Sequence, residues 1–563
     1  MILQPILHLV ATCAKKGIEH AILSPGSRCA PLTLAFARHP DIHARTIPDE
    51  RSAAFIALGM AQQLQHPVVL VCTSGSAALN YYPAIAEAYF QQVPLLILTA
   101  DRPPEWIDQW DGQTIYQEEV FGKHVKKSFH FPDSFENQDQ QWHARRIVNE
   151  AINLSKSYPA GPVHINIPLR EPFYPEADEK FIFPDSVQDF TFFPAQKHLS
   201  EESLKQVESR LEKVNRLLIV PGQQRPNPNL QVILDQLAKE KNVVVVSDTI
   251  SNLQVDHSIS LHDHFVGLEN LPEDLKPDLI ISFGKSIISK SLKIFLRKTQ
   301  CSHWHIQEDG NPKDTYQSLT RVLGCQSGYF LNWLGKNLPS QSLEFYQSWH
   351  RLQNKVSETL PLALAEAEFG EYPALQQVLQ KIPKSSKLHL ANSMAVRYVN
   401  FLGKRDQEVI CNRGTSGIDG SNSTAVGCTF TTKDPVTLIT GDMAFFYDRN
   451  AFWHNYTMPN LRIVILNNHA GGIFRLIEGP AKQPELEEYF ETKQTLNAYH
   501  LAQEFGFEYV LVKNKAELQH HLESFYAPSL KPKILEIESS SAKNAEILKM
   551  VKAKIQKALV SLE

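Results

Sequence analysis

Two short segments late in the chain, Gly441-Asp442-Met443 and Asn467-Asn468-His469-Ala470-Gly471-Gly472, combine cation-binding side chains with glycines. Each follows a run of β-branched and aliphatic residues, 436–440 and 462–466, and the stretch AFFYDRNAFWH between them reads as a helix. That pattern is a βαβ unit, so Asp442 and Asn468, 26 residues apart, emerge at the same edge of a parallel sheet. A carboxylate, an amide oxygen and a nearby backbone carbonyl suit a hard cation that also holds phosphate. The glycines let the backbone approach that phosphate closely. Singly, Gly-Asp and Asn-Asn are ordinary turn residues. One crossover apart, each at a strand end, they favour a metal–diphosphate site.

The first third of the chain offers a complementary set. Glu50, in TIPDERSAAF, follows a strand-like run and precedes a helix rich in Ala, Ile and Leu. A glutamate there is also what a plain helix N-terminus favours through the macrodipole. Ser24-Pro25-Gly26-Ser27-Arg28 and Thr73-Ser74-Gly75-Ser76 are two further strand-to-helix loops of the kind that bind anions. Each is equally readable as an ordinary helix cap.

These residues need a scaffold, and short apolar runs alternating with helical stretches supply one. The runs are 21–24, 44–47, 68–72, 95–99 and 163–167, then 216–220, 243–247, 279–283 and 303–306, then 388–390, 408–411, 436–440, 462–466, 509–512 and 534–537. Helices are expected over 51–63 and 77–90 among others. Continuous apolar strands separated by helices indicate parallel sheets covered on both faces, with ligands at the carboxyl ends of the strands. A proline-rich stretch from 168 to 194 breaks the alternation, as does a second from about 338 to 373, which holds a polar helix over 342–358 and then the Ala/Glu-rich LALAEAEFGEYP. The expected division is three α/β domains, 1–185, 186–350 and 351–563.

The 563 residues include 56 Lys plus Arg and 61 Asp plus Glu, a net charge of −5 that argues against a nucleic-acid binder relying on a basic field. The uncharged stretch from Ser52 to Ala86 is interrupted by Gln62, Gln63, Gln65, His66 and Pro67, so no membrane span is expected. The N-terminus lacks the basic region of a secretory signal. Seven scattered cysteines form no C-x-x-C pair, which points to a reduced, cytoplasmic chain without disulfides or a zinc site. No G-x-G-x-x-G closes any of the first βα turns, against a generic dinucleotide-binding protein.

The chain resembles thiamine-diphosphate enzymes of the pyruvate-oxidase and acetolactate-synthase type, whose cofactor motif is Gly-Asp-x followed by a double Asn. Within that family it is most similar to the branch serving menaquinone and phylloquinone biosynthesis. The matching segments are SPGSRCAPL (24–32), PDERSAAF (48–55), TSGSAALNYYPA (73–84), LTADRPPE (98–105), GQTIYQ (112–117), NSMAVR (392–397), CNRGTSGIDG (411–420) and NNHAGGIF (467–474). The resemblance implies three Rossmann-like open-sheet domains, namely pyrimidine-binding, central and diphosphate-binding. It implies thiamine diphosphate with Mg2+, or Mn2+, as cofactors, and a homodimer or homotetramer with active sites between subunits. The implied reaction is decarboxylation of 2-oxoglutarate and addition of the succinyl carbanion equivalent to isochorismate. The alternative is another 2-oxoacid decarboxylase or acetolactate-type synthase of the same family, which needs fewer carboxylate-binding arginines. A non-catalytic member is disfavoured by intact Glu50, Asp442 and Asn468.

Roles follow from the same match. Asp442, Asn468 and the carbonyl of Ala470 are expected to hold the metal. Ser74, Gly75, Ile418, Gly441, Met443, Gly472 and Ile473 are expected to line the cofactor, with Ile418 as a prop, and Glu50 to meet its aminopyrimidine. Ser27, Arg28, Arg102, Gln113, Lys290, Ser393, Arg397 and Arg413 match the binding positions for anionic substrates, and Arg presents the planar fork that suits carboxylates. Lys290 has Lys285 and Lys293 as near neighbours in GKSIISKSLK. Phe474 and Ile477 are expected to form an apolar wall. Two residues depart from the pattern: Met443 replaces a commoner Gly or Leu, and Ala470 replaces a Gly. The second is tolerable if Ala470 has a negative φ.

Overall fold

The computed structural model describes residues 4–176, 179–253, 255–268 and 271–561; the first three residues of the N-terminal reading lie outside that description. Three parallel sheets of six, five and six strands follow one another along the chain. All fifteen expected strands are present. Two short edge strands, Ser128–His130 and Leu319–Leu323, were not expected. The second alternates exposed and half-buried residues, as an edge strand does.

The first and third sheets share one strand order. In the third, Lys387–Leu390 has Glu408–Ile410 on one side and Val436–Gly441 on the other, so the winding reverses between Lys387–Leu390 and Val436–Gly441. In the first, His20–Leu23 has His43–Thr46 on one side and Val68–Cys72 on the other. Ligands bind at such reversal points, beyond the carboxyl ends of the strands.

Period-two alternation sorts each strand's side chains between two cores. Val68, Leu70 and Cys72 join one buried cluster, while Val69 and Val71 join the cluster on the opposite face. Two clusters cross domain boundaries. One joins Phe55 and Leu70 of the first sheet's domain to Val426 and Ile463 of the third. Another joins Leu218 and Ile280 of the middle domain to Leu388 and Val464 of the third. The third domain therefore sits between the other two, sharing one core with each.

One expectation needs correction and one is extended. The helix expected over 77–90 is two helices, Ser76–Asn80 and Tyr82–Gln91, because Pro83 starts the second and cannot continue the first. The helix expected over 342–358 is present and continues to Ala365. Leu343–Ala365 runs through the boundary placed at 350, with Pro361 inside it, and buries Trp349 and Leu364 in the core shared by the middle and third domains. Its Ala and Leu content is ordinary helix composition rather than a linker's.

The helix after Glu50, Glu50–Leu64, crosses helix Ser421–Thr429 at backbone contact. A Cβ on Gly59 would lie 2.0 Å from the carbonyl oxygen of Thr424, and one on Gly427 2.0 Å from that of Ile56. Neither carbonyl can yield as a side chain would. Gly59→Ala should therefore lower the thermal midpoint, with overpacking costs of roughly 1–3 kcal/mol. It should also speed amide exchange in residues 421–429, measured by mass spectrometry. A wild-type midpoint with wild-type exchange would contradict this packing.

Candidate active site

Register fixes the centre of the third-domain site. Gly441 pairs with Leu466, so Asp442 and the Asn467-Asn468 pair leave adjacent strands at one level. Asp442 is buried, and its Oδ2 accepts from Gln494 Nε2 at 2.7 Å. Burial pushes its carboxyl up to about 6. Asn467 turns inward, donating to Glu536 Oε1 at 2.6 Å and accepting from the N–H of His469 at 3.0 Å. Asn468 points the other way. Its Nδ2 donates to Glu371 Oε1 at 2.6 Å, and its Oδ1 is buried without a partner.

The left-handed residue in this turn is His469, with φ of 60°; Ala470 is not among the positive-φ residues, so its replacement of glycine brings no strain. The Ala470 carbonyl accepts from the N–H of Gly472 at 2.9 Å, which leaves it a second lone pair. An orphaned amide oxygen, a buried carboxylate and a backbone carbonyl at one sheet edge fit a hard divalent cation. Gly441, with open space where a Cβ would stand, and half-buried Met443, Gly472 and Ile473 surround this point. Phe474 packs against Phe490 with ring centroids 6.0 Å apart, while Ile477 and Ile418 are partly exposed, at 42% and 37%.

A second cluster, Asp248, His262 and Asp263, also brings ligand atoms together. Its carboxylates are already engaged by donors, although both ring nitrogens of His262 are buried without a hydrogen-bond partner. Asp248 accepts from the N–H groups of Ile288 and Ser289 and lies 3.1 Å from His262 Nε2. Asp263 accepts from Ser289 Oγ and, at 2.8 Å, from Asn400 Nδ2. Its oxygens are engaged by donors, unlike Oδ1 of Asn468.

Arg397 and Arg413 leave the neighbouring strand ends. Ser393, at φ of 70° and ψ of −131°, holds a strained conformation costing of order 1–3 kcal/mol, the kind that persists at functional sites. Its carbonyl accepts from Arg397 NH1 at 2.6 Å. Arg413 NH1 donates to Asn392 Oδ1 at 2.8 Å, and its Nε is buried without a partner. Burial and then the charge of Arg413 lower the Arg397 pKa. Burial and then Arg413 do the same to Lys293, whose role was not anticipated. Of the three lysines in that segment, Lys285 is exposed along its stem but engaged at its tip: Nζ donates to the Gln91 carbonyl, and burial of that end lowers its pKa to about 8. Lys290 is exposed at the first position of helix Lys290–Thr299.

The loop carrying Arg413 is held by all three domains. Gln91 of the first and Gln223 of the second both donate to the Cys411 carbonyl, at 2.7 and 2.8 Å. Buried Glu87 accepts from the N–H groups of Gly414 and Thr415, at 2.8 and 2.6 Å.

In the first domain, Arg28 NH1 donates to the Leu169 carbonyl at 2.8 Å and stacks over Phe173. Burial and then the charge of Arg102 lower the Arg28 pKa. Arg102 donates to the Gly112 carbonyl at 2.6 Å and lies 2.7 Å from Asp111. Gln117, missed in the sequence, locks this corner. It accepts from the N–H of Gly75 at 3.1 Å and donates to the Ala100 carbonyl and Asn166 Oδ1, both at 2.9 Å. Gly75 has φ of 84°, and a Cβ there would meet the backbone of Gln113 at 3.2 Å, so glycine is required by both conformation and space. The hydroxyls of Thr73 and Ser74 are buried without partners. Ser27 is exposed, and Glu50 is half-buried at the start of its helix, capped by Asp49.

Comparison with known proteins settles the family. The N-terminal TPP binding domain of thiamine pyrophosphate enzymes matches residues 7–126, the middle domain 193–390 and the C-terminal TPP binding domain 391–537. A Cytophaga hutchinsonii protein named 2-succinyl-5-enolpyruvyl-6-hydroxy-3-cyclohexene-1-carboxylate synthase is 47% identical, covering 99% of this chain and all of its own length. The chain belongs to that synthase family. Similar proteins of the same name from Christiangramia forsetii and Flavobacterium johnsoniae are 40% and 36% identical, each across 96% of this chain and 96% and 97% of their own. Its three α/β domains are those of a thiamine-diphosphate enzyme, as the resemblance implied. Among the described residues no helix is long and apolar enough to cross a membrane.

The buried acids at this synthase-family site make a pH prediction. Asp442 and Glu371 have pKa values raised to about 6 and about 7 from 3.8 and 4.5, chiefly by burial. In that window the folded chain holds protons that the unfolded chain has released. Their contribution to stability is therefore greatest below the ordinary carboxyl range and is lost as pH rises through about 6 to 7. A divalent cation binding the ionised site offsets that loss. The thermal shift produced by Mg2+ with thiamine diphosphate should be larger near pH 8 than near pH 5.5 in a fluorimetric melt. An equal or smaller shift at the higher pH would contradict the ligand assignment.

Proposed function

We propose that this chain decarboxylates 2-oxoglutarate and adds the succinyl carbanion equivalent to isochorismate, giving 2-succinyl-5-enolpyruvyl-6-hydroxy-3-cyclohexene-1-carboxylate. The observation carrying this reading is the cationic cluster of Arg397, Arg413 and Lys293. Neither arginine has an ion-pair partner among the described residues, although Asp263 lies in the field of Arg397. Half-buried cations held in one another's field without a paired carboxylate suit an anionic ligand. A dicarboxylic 2-oxoacid and a dicarboxylic acceptor need such a site; pyruvate does not.

Thiamine diphosphate supplies the carbanion chemistry, while the protein supplies orientation and charge control. Asp442, Asn468 and the Ala470 carbonyl hold Mg2+, or Mn2+, which carries the diphosphate. Ser74, Gly75, Gly441, Met443, Gly472 and Ile473 line the cofactor, and Ile418 props it. Glu50 exchanges a proton with the aminopyrimidine N1′. Arg397 and Arg413 orient the substrate carboxylates, assisted by Ser393 and by Lys290. Ser27, Arg28, Arg102 and Gln113 bind the second anion, and Phe474 with Ile477 keeps water from its apolar side. The seven free cysteines, six of them buried, suit a reducing cytoplasmic setting.

Within one chain the cations form two groups. Arg28 and Arg102 share one field, and Arg397, Arg413 and Lys293 another. No hydrogen bond or ion pair among the described residues joins the groups. That separation supports an assembly in which Glu50 of one copy serves a cofactor held by Asp442 of a second.

Two measurements test this reading. Losing one partner of a buried charge pair costs roughly 2–5 kcal/mol, about thirty-fold to a few thousand-fold. Arg397→Ala or Arg413→Ala should lower kcat/KM for 2-oxoglutarate by that order, assayed through isochorismate consumption, and affect a monocarboxylic 2-oxoacid much less. Equal losses, or a wild type preferring pyruvate, would move the chain to the acetolactate-type alternative. Separately, mixing inactive Glu50→Gln and Asp442→Ala chains should restore part of the activity, because a mixed dimer contains one intact site. No recovery after verified exchange would show that each chain builds its own site.

A further inference from the structure

Glu371 belongs to none of the segments that suggested the site. It opens helix Glu371–Lys381, and its N–H donates to Asn544 Oδ1 at 3.0 Å, which ties the helix start to the C-terminal helix Ser541–Val560. Its side chain is 1% exposed and has no cationic partner among the described residues. It takes a hydrogen bond from Tyr398 and another, at 2.6 Å, from Asn468 Nδ2.

That last bond has a directional consequence. The two ends of an asparagine amide are nearly isosteric, but one only donates and the other only accepts. A carboxylate that faces the amide selects its NH2 end. With Nδ2 held by Glu371, Oδ1 faces away from that carboxylate, on a residue whose strand end is level with that of Asp442. It is buried and unpartnered there. A flipped amide would instead present two N–H groups to a cation and leave the carboxylate against an oxygen.

We propose that Glu371 is a positioning residue that fixes the Asn468 amide with Oδ1 turned toward the cation. This rests on the reading of Asp442 and Asn468 as cation ligands. Glu371 acts through Asn468 and touches neither substrate nor cofactor. Such partners orient the ligand and confine it to the binding geometry, and their removal commonly weakens metal affinity by about 10- to 100-fold.

The test is Mn2+ affinity of the full chain with thiamine diphosphate present, read from the electron paramagnetic resonance signal of free Mn2+. E371A, and E371L with similar bulk and no acceptor, should each raise the Kd by roughly 10- to 100-fold, whereas E371Q, whose amide oxygen still accepts from Asn468, should stay near wild type. Wild-type affinity in E371A or E371L would overturn the proposal. Equal weakening in E371Q and E371L would also overturn it, since lost charge rather than lost orientation would then be the cause. D442A separates the two readings. Unchanged affinity there refutes the cation site itself, while weakening in D442A with none in E371L refutes only the positioning role.

Discussion

Two carboxyl groups, those of Asp442 and Glu371, are buried close enough for one charge to raise the pKa of the other, and neither meets a lysine or arginine among the described residues. Burying an unpaired carboxylate is among the more expensive things a fold does. Each is partly satisfied by an amide, Gln494 for Asp442 and Asn468 for Glu371. The amides cannot neutralise them. A divalent cation bound between them, as proposed above, would. The elements around the pair hold it there: the reversal in strand order opens the crevice, and the 466–441 register sets Asp442 and Asn468 side by side.

The proposed substrate side obeys the opposite sign. Arg397, Arg413 and Lys293 repel one another, and the loop bearing Arg413 would relax outward were it not fixed by Glu87, Gln91 and Gln223 from the other two domains. Those bonds run to backbone atoms, so they fix position without neutralising the arginines. Like-charge side chains held by such bonds, with Asp263 and Asp248 acting on them through space alone, suit the incoming anion proposed above. The third domain's central position, sharing one core with each neighbour, makes this convergence geometrically feasible.

Much of this was legible in the sequence because it is local. Continuous apolar runs between helical stretches mark parallel strands, and Gly-Asp and Asn-Asn after two of them mark one sheet edge. The strands that escaped, Ser128–His130 and Leu319–Leu323, are short edge strands without a continuous apolar run. Pro83 could have shown that the 77–90 helix is broken. The missed residues share a different property: each acts on a partner far away in the chain. Glu371 meets Asn468 across 97 positions, Gln117 meets Gly75 across 42, and Glu87 meets Gly414 across 327. Lys293 resembles any helix lysine until the fold turns it toward two arginines. Nothing in local periodicity encodes such pairings. A glutamate opening an apolar helix is as common in caps as in sites.

The proposed site depends on one cation bound through oxygen between two strand ends. The most direct measurement is anomalous diffraction from crystals grown with Mn2+ and thiamine diphosphate. It should give a peak at bonding distance, about 2.1 Å for a small hard divalent ion, from Asp442, Asn468 Oδ1 and the Ala470 carbonyl. A peak instead at Asp248, His262 and Asp263, with none beside Asp442, would contradict it.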